Sequence, residues 1–307
     1  YKEYRSYVSD SAISYLNQNL DIAQSMKDQY KINETSIATA DLFSALGMYK
    51  EALDLMTNVK KETFDNVQRV DYYNTYRFIY SGLGIYTQNS RDRGKYWQMA
   101  NAYTDTVFSI ADKDSEEYLR IQDTRLRQAG KIDEALQVND KRLALTKMGS
   151  PGYALVTFNR SLLYRRKEDL VKEKEFLILS AISDIQCAIK DNASIPILAN
   201  MLMQEGDVDR AYMYVRFSLD NINDYNTRIR SSEILNIQTI IDKAYQQKND
   251  EQKRELRFFL ILISILSVLL IISVCYVYKQ MKKGIIISKR LKETNTELKT
   301  LNQKLHN

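Results

Sequence analysis

The chain has 307 residues, and 44 basic against 39 acidic side chains leave a net charge of only +5. The two signs are interleaved, which describes a solvated helical surface and excludes the concentrated basic face of a nucleic-acid-binding protein. Nine Gly and two Pro are too few for the turns and strand edges of a β-rich fold, so the composition points to an all-α architecture.

In chain order, SDSAISYLNQNLDIA after Tyr7 has the pattern of the second helix of a repeat, over residues 7–28. GMYKEALDLM from Gly47, GKIDEALQVN from Gly130 and GDVDRAYMYV from Gly206 then align, each with a Gly followed five residues later by Ala. Tyr49, Ile132 and Val208 stand two residues after each Gly. The intervals of 83 and 76 residues are each close to two units of about 40, which places degenerate units around Asn89 to Tyr103 and Lys167 to Ile182. Helical units are therefore expected near residues 31–60, 66–111, 114–147, 151–184 and 188–222. The Gly ends one helix where a left-handed residue is needed, and Ala52, Ala135 and Ala211 let the next helix approach closely. Asp114 with Glu117 reads as a capping box, and Ser150 with Pro151 as an N-cap followed by Pro in the first turn. Ile229, Ile234, Ile237, Ile240, Ile241 and Tyr245 fall at helical spacing and predict a capping helix over residues 225–247.

From Phe258 to Tyr278 the chain reads FFLILISILSVLLIISVCYVY, 21 residues without charge, Gly or Pro. As a helix rising about 1.5 Å per residue it is roughly 30 Å long, the thickness of a bilayer's hydrocarbon core. Residues 258–278 are expected to cross a membrane, and their distance from the N-terminus excludes a signal peptide. Residues 248–257 form a juxtamembrane helix with no Gly or Pro, so a nearly continuous rod should lead into the span. Five basic residues flank it on the N-side and six on the C-side, a balance that leaves its orientation open. Residues 279–307 supply a basic segment and a heptad, with Ile287, Leu291, Leu298, Leu301 and Leu305 at a or d and Thr294 as a polar d residue. This pattern reads as the start of a parallel coiled coil joining two copies of the chain; a single amphipathic helix lying on the membrane is the other reading.

Side chains for catalysis are sparse. His306 is the only histidine and lies at the ragged end, which removes Ser/His and Cys/His arrangements and His-bearing zinc sites. Gly82 and Gly84 make a lone G-x-G inside a helix, without the preceding strand of a phosphate loop. Cys187 and Cys275 lie on different sides of the span's start and cannot pair. The expectation is no catalytic residue, no cofactor and no metal in this chain.

The repeat pattern resembles the tetratricopeptide repeat. Tyr80, Leu83 and Gly84 stand at the spacing of that family's Trp, Leu, Gly signature, and Ala40 with Phe43 match its small and aromatic positions. Asp123 and Ser161 depart from it at the small site, the period exceeds the family's usual length of about 34 residues, and no unit ends in Pro. An irregular helical solenoid of another family is the alternative. The resemblance implies a concave groove lined by first helices, which binds a protein or peptide. On the repeat frame, Glu34, Asp41, Tyr76, Arg120, Arg127, Arg165 and Asn200 would face it. Tyr72, Tyr73, Tyr76 and Tyr80, with Arg77, crowd one first helix, either in that groove or packed between repeats.

With NTELKTLNQKL following the span, the whole chain resembles Bacteroidota membrane regulators. In these an exported repeat domain is joined by one transmembrane helix to a cytoplasmic coiled coil and then to a histidine kinase or a regulator domain of unknown function. The resemblance implies a solenoid in the periplasm, an anchor in the bacterial inner membrane and a C-terminus in the cytoplasm, with segments beyond both ends. The function it implies is a single-pass receptor or regulator. A membrane-tethered scaffold without output is the alternative, and an inverted span with a cytoplasmic solenoid is a third. The expected partners are a protein or peptide, the lipid bilayer and a second copy of the chain, with no direct nucleic-acid contact.

Overall fold

The computed structural model describes residues 1–307 except Glu3, Asp191, residues 226–230 and 306–307, and it leaves out the side chains of residues 222–224, 231–237 and 240. Ile229, His306 and the side chains of Ile234, Ile237 and Ile240 thus lie outside the described residues. The described chain forms two compact units, residues 1–245 and residues 246–307.

All regular structure among the described residues is helical. In the first unit a lone helix α1 (Ser9–Ser25) precedes five helix pairs. These are α2 (Gln29–Leu46) with α3 (Tyr49–Thr57), α4 (Asn66–Tyr86) with α5 (Ser90–Ile110), and α6 (Glu116–Gln128) with α7 (Ile132–Ala144). Then come α8 (Pro151–Arg166) with α9 (Leu170–Gln186), and α10 (Ser194–Gln204) with α11 (Val208–Tyr225). Each pair packs on the next, so the core is a chain of small apolar clusters and the unit is a helical-repeat solenoid.

The helix starts are fixed by short polar side chains that satisfy otherwise unpaired backbone N–H groups. Asp28, Asp65, Asn89, Ser150 and Asp169 each accept such a bond at the heads of α2, α4, α5, α8 and α9, and Pro151 opens α8. The capping box expected at Asp114 is corrected. Ser115 caps α6, its hydroxyl accepting from the Tyr118 N–H at 3.3 Å, because Asp114 is already turned back by a bond from its own N–H to the Asp112 carboxylate.

Gly47, Gly130 and Gly206 take φ of 81°, 75° and 84°, the left-handed region needed to end a first helix and open the second two residues later. Ala52, Ala135 and Ala211, five residues on, are fully buried at the helix crossing. In the α8–α9 pair the same turn is made by Glu168, at φ 60°, and the residue five further on is Glu173. A buried carboxylate there needs a cation, and Arg165 supplies it through Nε at 2.6 Å.

The two ends of the solenoid meet. Tyr225, at the end of α11, packs against Leu16, Leu42 and Leu46. Its hydroxyl donates to the Arg5 carbonyl at 2.7 Å, and Ser9 Oγ donates to the Tyr225 carbonyl at 2.9 Å. The Lys190 N–H donates to the Ser6 carbonyl at 3.0 Å. One superhelical turn therefore closes on itself. The last helix, α12 (Ser231–Leu305), begins within this unit, where Ile241 joins Ala199, Leu202, Ala211 and Val215, and Tyr245 stacks on Tyr212 at 4.1 Å.

The second unit is the rest of α12, one helix long and apolar enough to cross a membrane. The large apolar side chains of residues 258–278 are between 45% and 68% exposed, so no part of the described chain covers them. An apolar surface on every side of a helix is compatible with a membrane span. Ile287, Leu291, Leu298, Leu301 and Leu305 also lie exposed, at spacings of a seven-residue repeat.

Candidate functional site

The main charged concavity of the solenoid is a cavity of about 930 Å³ between the N-terminal segment, α1, α2, α4 and α6. That volume lies at the upper end of small-ligand pockets, about 300–1,000 Å³. From α2 come Glu34 and Asp41, from α4 Gln68, Asp71, Asn74, Thr75 and Phe78, and from α6 Glu117 and Arg120. The helices present these residues because positions three or four apart share one face. On α4 the sequence divides cleanly: Asp71, Thr75 and Phe78 face the cavity, while Tyr76 and Tyr80 stack on Tyr103 of α5 and Tyr72 packs on Phe64 and Tyr76.

Some charges in the cavity are already paired. Arg5 bridges to Asp41, and Lys31 to Glu34 at 2.7 Å. Others are not. Among the described residues no hydrogen bond or ion pair reaches the Arg120 guanidinium, whose Nε is buried. Arg120 instead lies over the ring of Phe78 at 5.1 Å, and Arg77 lies over the same ring at 4.5 Å. Burial lowers the pKa of both guanidiniums, that of Arg77 to about 9, with Arg120 as its like-charged neighbour. Gln68 is almost wholly buried; its amide N–H donates to the Tyr30 carbonyl at 2.8 Å and its Oε1 has no partner.

Asp71 is exposed along the cavity, with its carboxyl partly enclosed by the walls. This desolvation, with Glu117, Asp41, Asp65 and Glu34 nearby, pushes its carboxyl up to about 6. An acid whose pKa rises on folding contributes stability below its unfolded pKa of about 3.9 and loses that contribution as pH climbs through the folded value. Asp71→Asn is therefore expected to raise the melting temperature at about pH 7.5 and to leave it unchanged at about pH 4. An equal gain at both pH values would show that Asp71 is not the titrating group.

The seven groove candidates separate. Glu34, Asp41 and Arg120 meet in this cavity. Arg165 and Asn200 line a second, more apolar hollow of about 1,110 Å³ between α8, α9 and α10, where Arg165 is held by Glu173. Arg127 is half-buried near the charges of Asp123, Arg166 and Arg142 and borders neither. Tyr76 is corrected: it is 8% exposed and stacked in the core, 5.0 Å from both Tyr72 and Tyr103. A flat ring gains more from stacked and edge contacts with three neighbouring Tyr rings, Tyr72, Tyr80 and Tyr103, than from the groove.

The sequence pattern did not single out Asp71 or Phe78, and it read Glu117 only as part of a helix cap. Their signal was there in the spacing 71, 75, 78 on one helix and 117, 120 on another, but the run of Tyr on the opposite face masked it.

Residues 1–236 match the family model described as the SusR N-terminal TPR domain. No curated protein matches the chain.

Proposed function

The chain is a member of the SusR N-terminal TPR domain family, and from this premise we propose that it is a single-pass membrane receptor or regulator. In this reading the solenoid lies in the periplasm of a bacterium of the Bacteroidota type and binds a protein or peptide in its main cavity. Residues 258–278 cross the inner membrane, and the heptad after them pairs with a second copy and leads to a cytoplasmic output. No reaction, metal or cofactor is assigned to these residues.

The observation that carries the reading is one chain holding two incomplete surfaces: a repeat-domain cavity with unpaired charges, and an apolar helix that no other part of the described chain covers. A ligand shifts such a receptor only if it prefers one state, and a tenfold preference supplies about 1.4 kcal/mol.

Ligand binding is tested by panning dodecapeptides, displayed in a loop so that both ends are held, against the full chain in lipid nanodiscs. Binders should lose at least tenfold in affinity with Glu34→Lys or Asp41→Lys. Binders indifferent to both substitutions would contradict the assignment of the cavity.

Pairing through the heptad gives a separate expectation. In a Cys275→Ser background, Leu298→Cys or Leu301→Cys should form disulfide-linked dimers on mild oxidation of membranes, and Gln303→Cys, on the outer face of the heptad, should not. Equal cross-linking at all three would contradict a coiled coil.

A further inference from the structure

We propose that the main cavity recognises a short peptide by its free ends, with the terminal carboxylate on Arg120 and the terminal ammonium on Asp71. The inference rests on the peptide-binding reading above and narrows it to a ligand class.

Arg120 and Asp71 are opposite charges that line this cavity with no hydrogen bond or ion pair among the described residues; Glu117, one turn before Arg120, and Lys2 line it unpaired as well. Arg120 has neither hydrogen bond nor ion pair, and its planar fork of donors fits a carboxylate bidentately. Arg77 also lies against the Phe78 ring and adds positive potential. Asp71 is equally unpaired, and every charge that acts strongly on it is another carboxylate: Glu117, Asp41, Asp65 and Glu34. Glu34 and Asp41 are engaged by Lys31 and Arg5, which leaves Asp71 and Glu117 as the cavity's acids without an ion pair; Glu117 acts on Arg120 from the preceding turn of α6, and Asp71, on α4, is the one open to a ligand's cation.

A third group lies in the same wall. Gln68 is 2% exposed, its amide orientation is set by the bond to Tyr30, and its Oε1 is buried without a donor. A buried acceptor without a donor is unfavourable, and a small turn of the side chain toward the cavity would let a peptide N–H satisfy it. A ligand that answers all three carries an anion, a cation and an amide N–H, which is the chemistry of an oligopeptide with both termini free. A purely anionic ligand leaves Asp71 unanswered; a neutral polyol leaves both charges unpaired.

The experiment uses the full chain in nanodiscs and three equimolar pools of tripeptides with random side chains: free at both ends, N-acetylated, and C-amidated. Binding is read as the rise in melting temperature with pool concentration. The free-ended pool should bind, and each blocked pool at least tenfold more weakly. Arg120→Gln should make the free and amidated pools equal, and Asp71→Asn should make the free and acetylated pools equal. The comparison of pools on the unaltered chain stands even if a variant misfolds. No binding of the free-ended pool, or equal binding of all three, would overturn the proposal. Loop-held dodecapeptides that bind while free tripeptides do not would sink end recognition alone; binding by neither would sink the peptide-groove reading with it.

Discussion

Arg142→Met is expected to destabilise the solenoid by about 3–5 kcal/mol, the range for removing one partner of a buried ion pair. Arg142 is fully buried on α7. Its Nη1 donates to Asp123 Oδ2 at 2.6 Å, and its Nη2 donates to Glu116 Oε1 at 2.6 Å. Asp123 is 2% exposed and receives further help only from the Asn139 amide at 3.3 Å. With the guanidinium gone, that buried carboxylate loses its direct ion pair and keeps only the more distant Arg127 as a cation. At about 2–4 °C per kcal/mol for a domain of this size, the melting temperature should fall by roughly 10 °C. The double variant Asp123→Ala, Arg142→Met should recover most of the loss, because apolar replacements of whole ion pairs are often neutral. Ala is also the residue the fold uses at the matching position, seven before the turn, in Ala40 and Ala199. A single variant that costs under about 1 kcal/mol would contradict a buried network, since that is the scale of a surface pair.

The second large effect is expected at the closure of the superhelical turn. Tyr225→Ala removes a side chain 3% exposed from between Leu16, Leu42 and Leu46, a change that costs about 3–5 kcal/mol for a large aromatic. Tyr225→Phe removes only the hydroxyl bond to the Arg5 carbonyl and should cost about 1 kcal/mol. Because the closing contacts join residues more than two hundred positions apart, their loss should be read at the N-terminus. Amide exchange should accelerate in residues 4–8 and at the start of α1 in the Ala variant, and much less in the Phe variant. Unchanged exchange there would mean that the N-terminal segment is held by something else. The segment also walls the cavity through Tyr1, Lys2 and Arg5, so opening the turn should weaken any ligand held there.

The fold was legible where the sequence obeyed backbone rules. Gly47, Gly130 and Gly206 marked three turns because a left-handed residue is needed there, and Ala52, Ala135 and Ala211 marked three close crossings because nothing larger fits. The fourth turn was hidden. Glu168 takes the left-handed conformation at a steric cost, and Glu173 occupies the close crossing only because Arg165 neutralises it. Lys27 and Ala188 hide turns between pairs in the same way, at φ 55° and 53°.

The candidate site was less legible, for a different reason. The repeat frame placed Glu34, Asp41 and Arg120 on the concave side, but it carries no information about pairing. Whether Arg165 is free or bound to Glu173, and whether Tyr76 faces the groove or α5, depends on contacts across neighbouring helices. Arg142 was missed outright. One arginine in a second helix gives no sign that it is buried until Asp123 and Glu116, on another helix, are seen to close around it.

The central claim is that the solenoid and the heptad lie on opposite sides of a membrane, and protease accessibility in intact spheroplasts tests it most directly. Antibodies to residues 1–245 and to the segment after residue 278 would follow the two parts. The account predicts that external protease removes the solenoid and spares the tail until the membrane is opened. A solenoid that survives intact spheroplasts and is cut only after lysis would contradict transmembrane sensing, and a membrane-bound cytoplasmic scaffold would then be the better description.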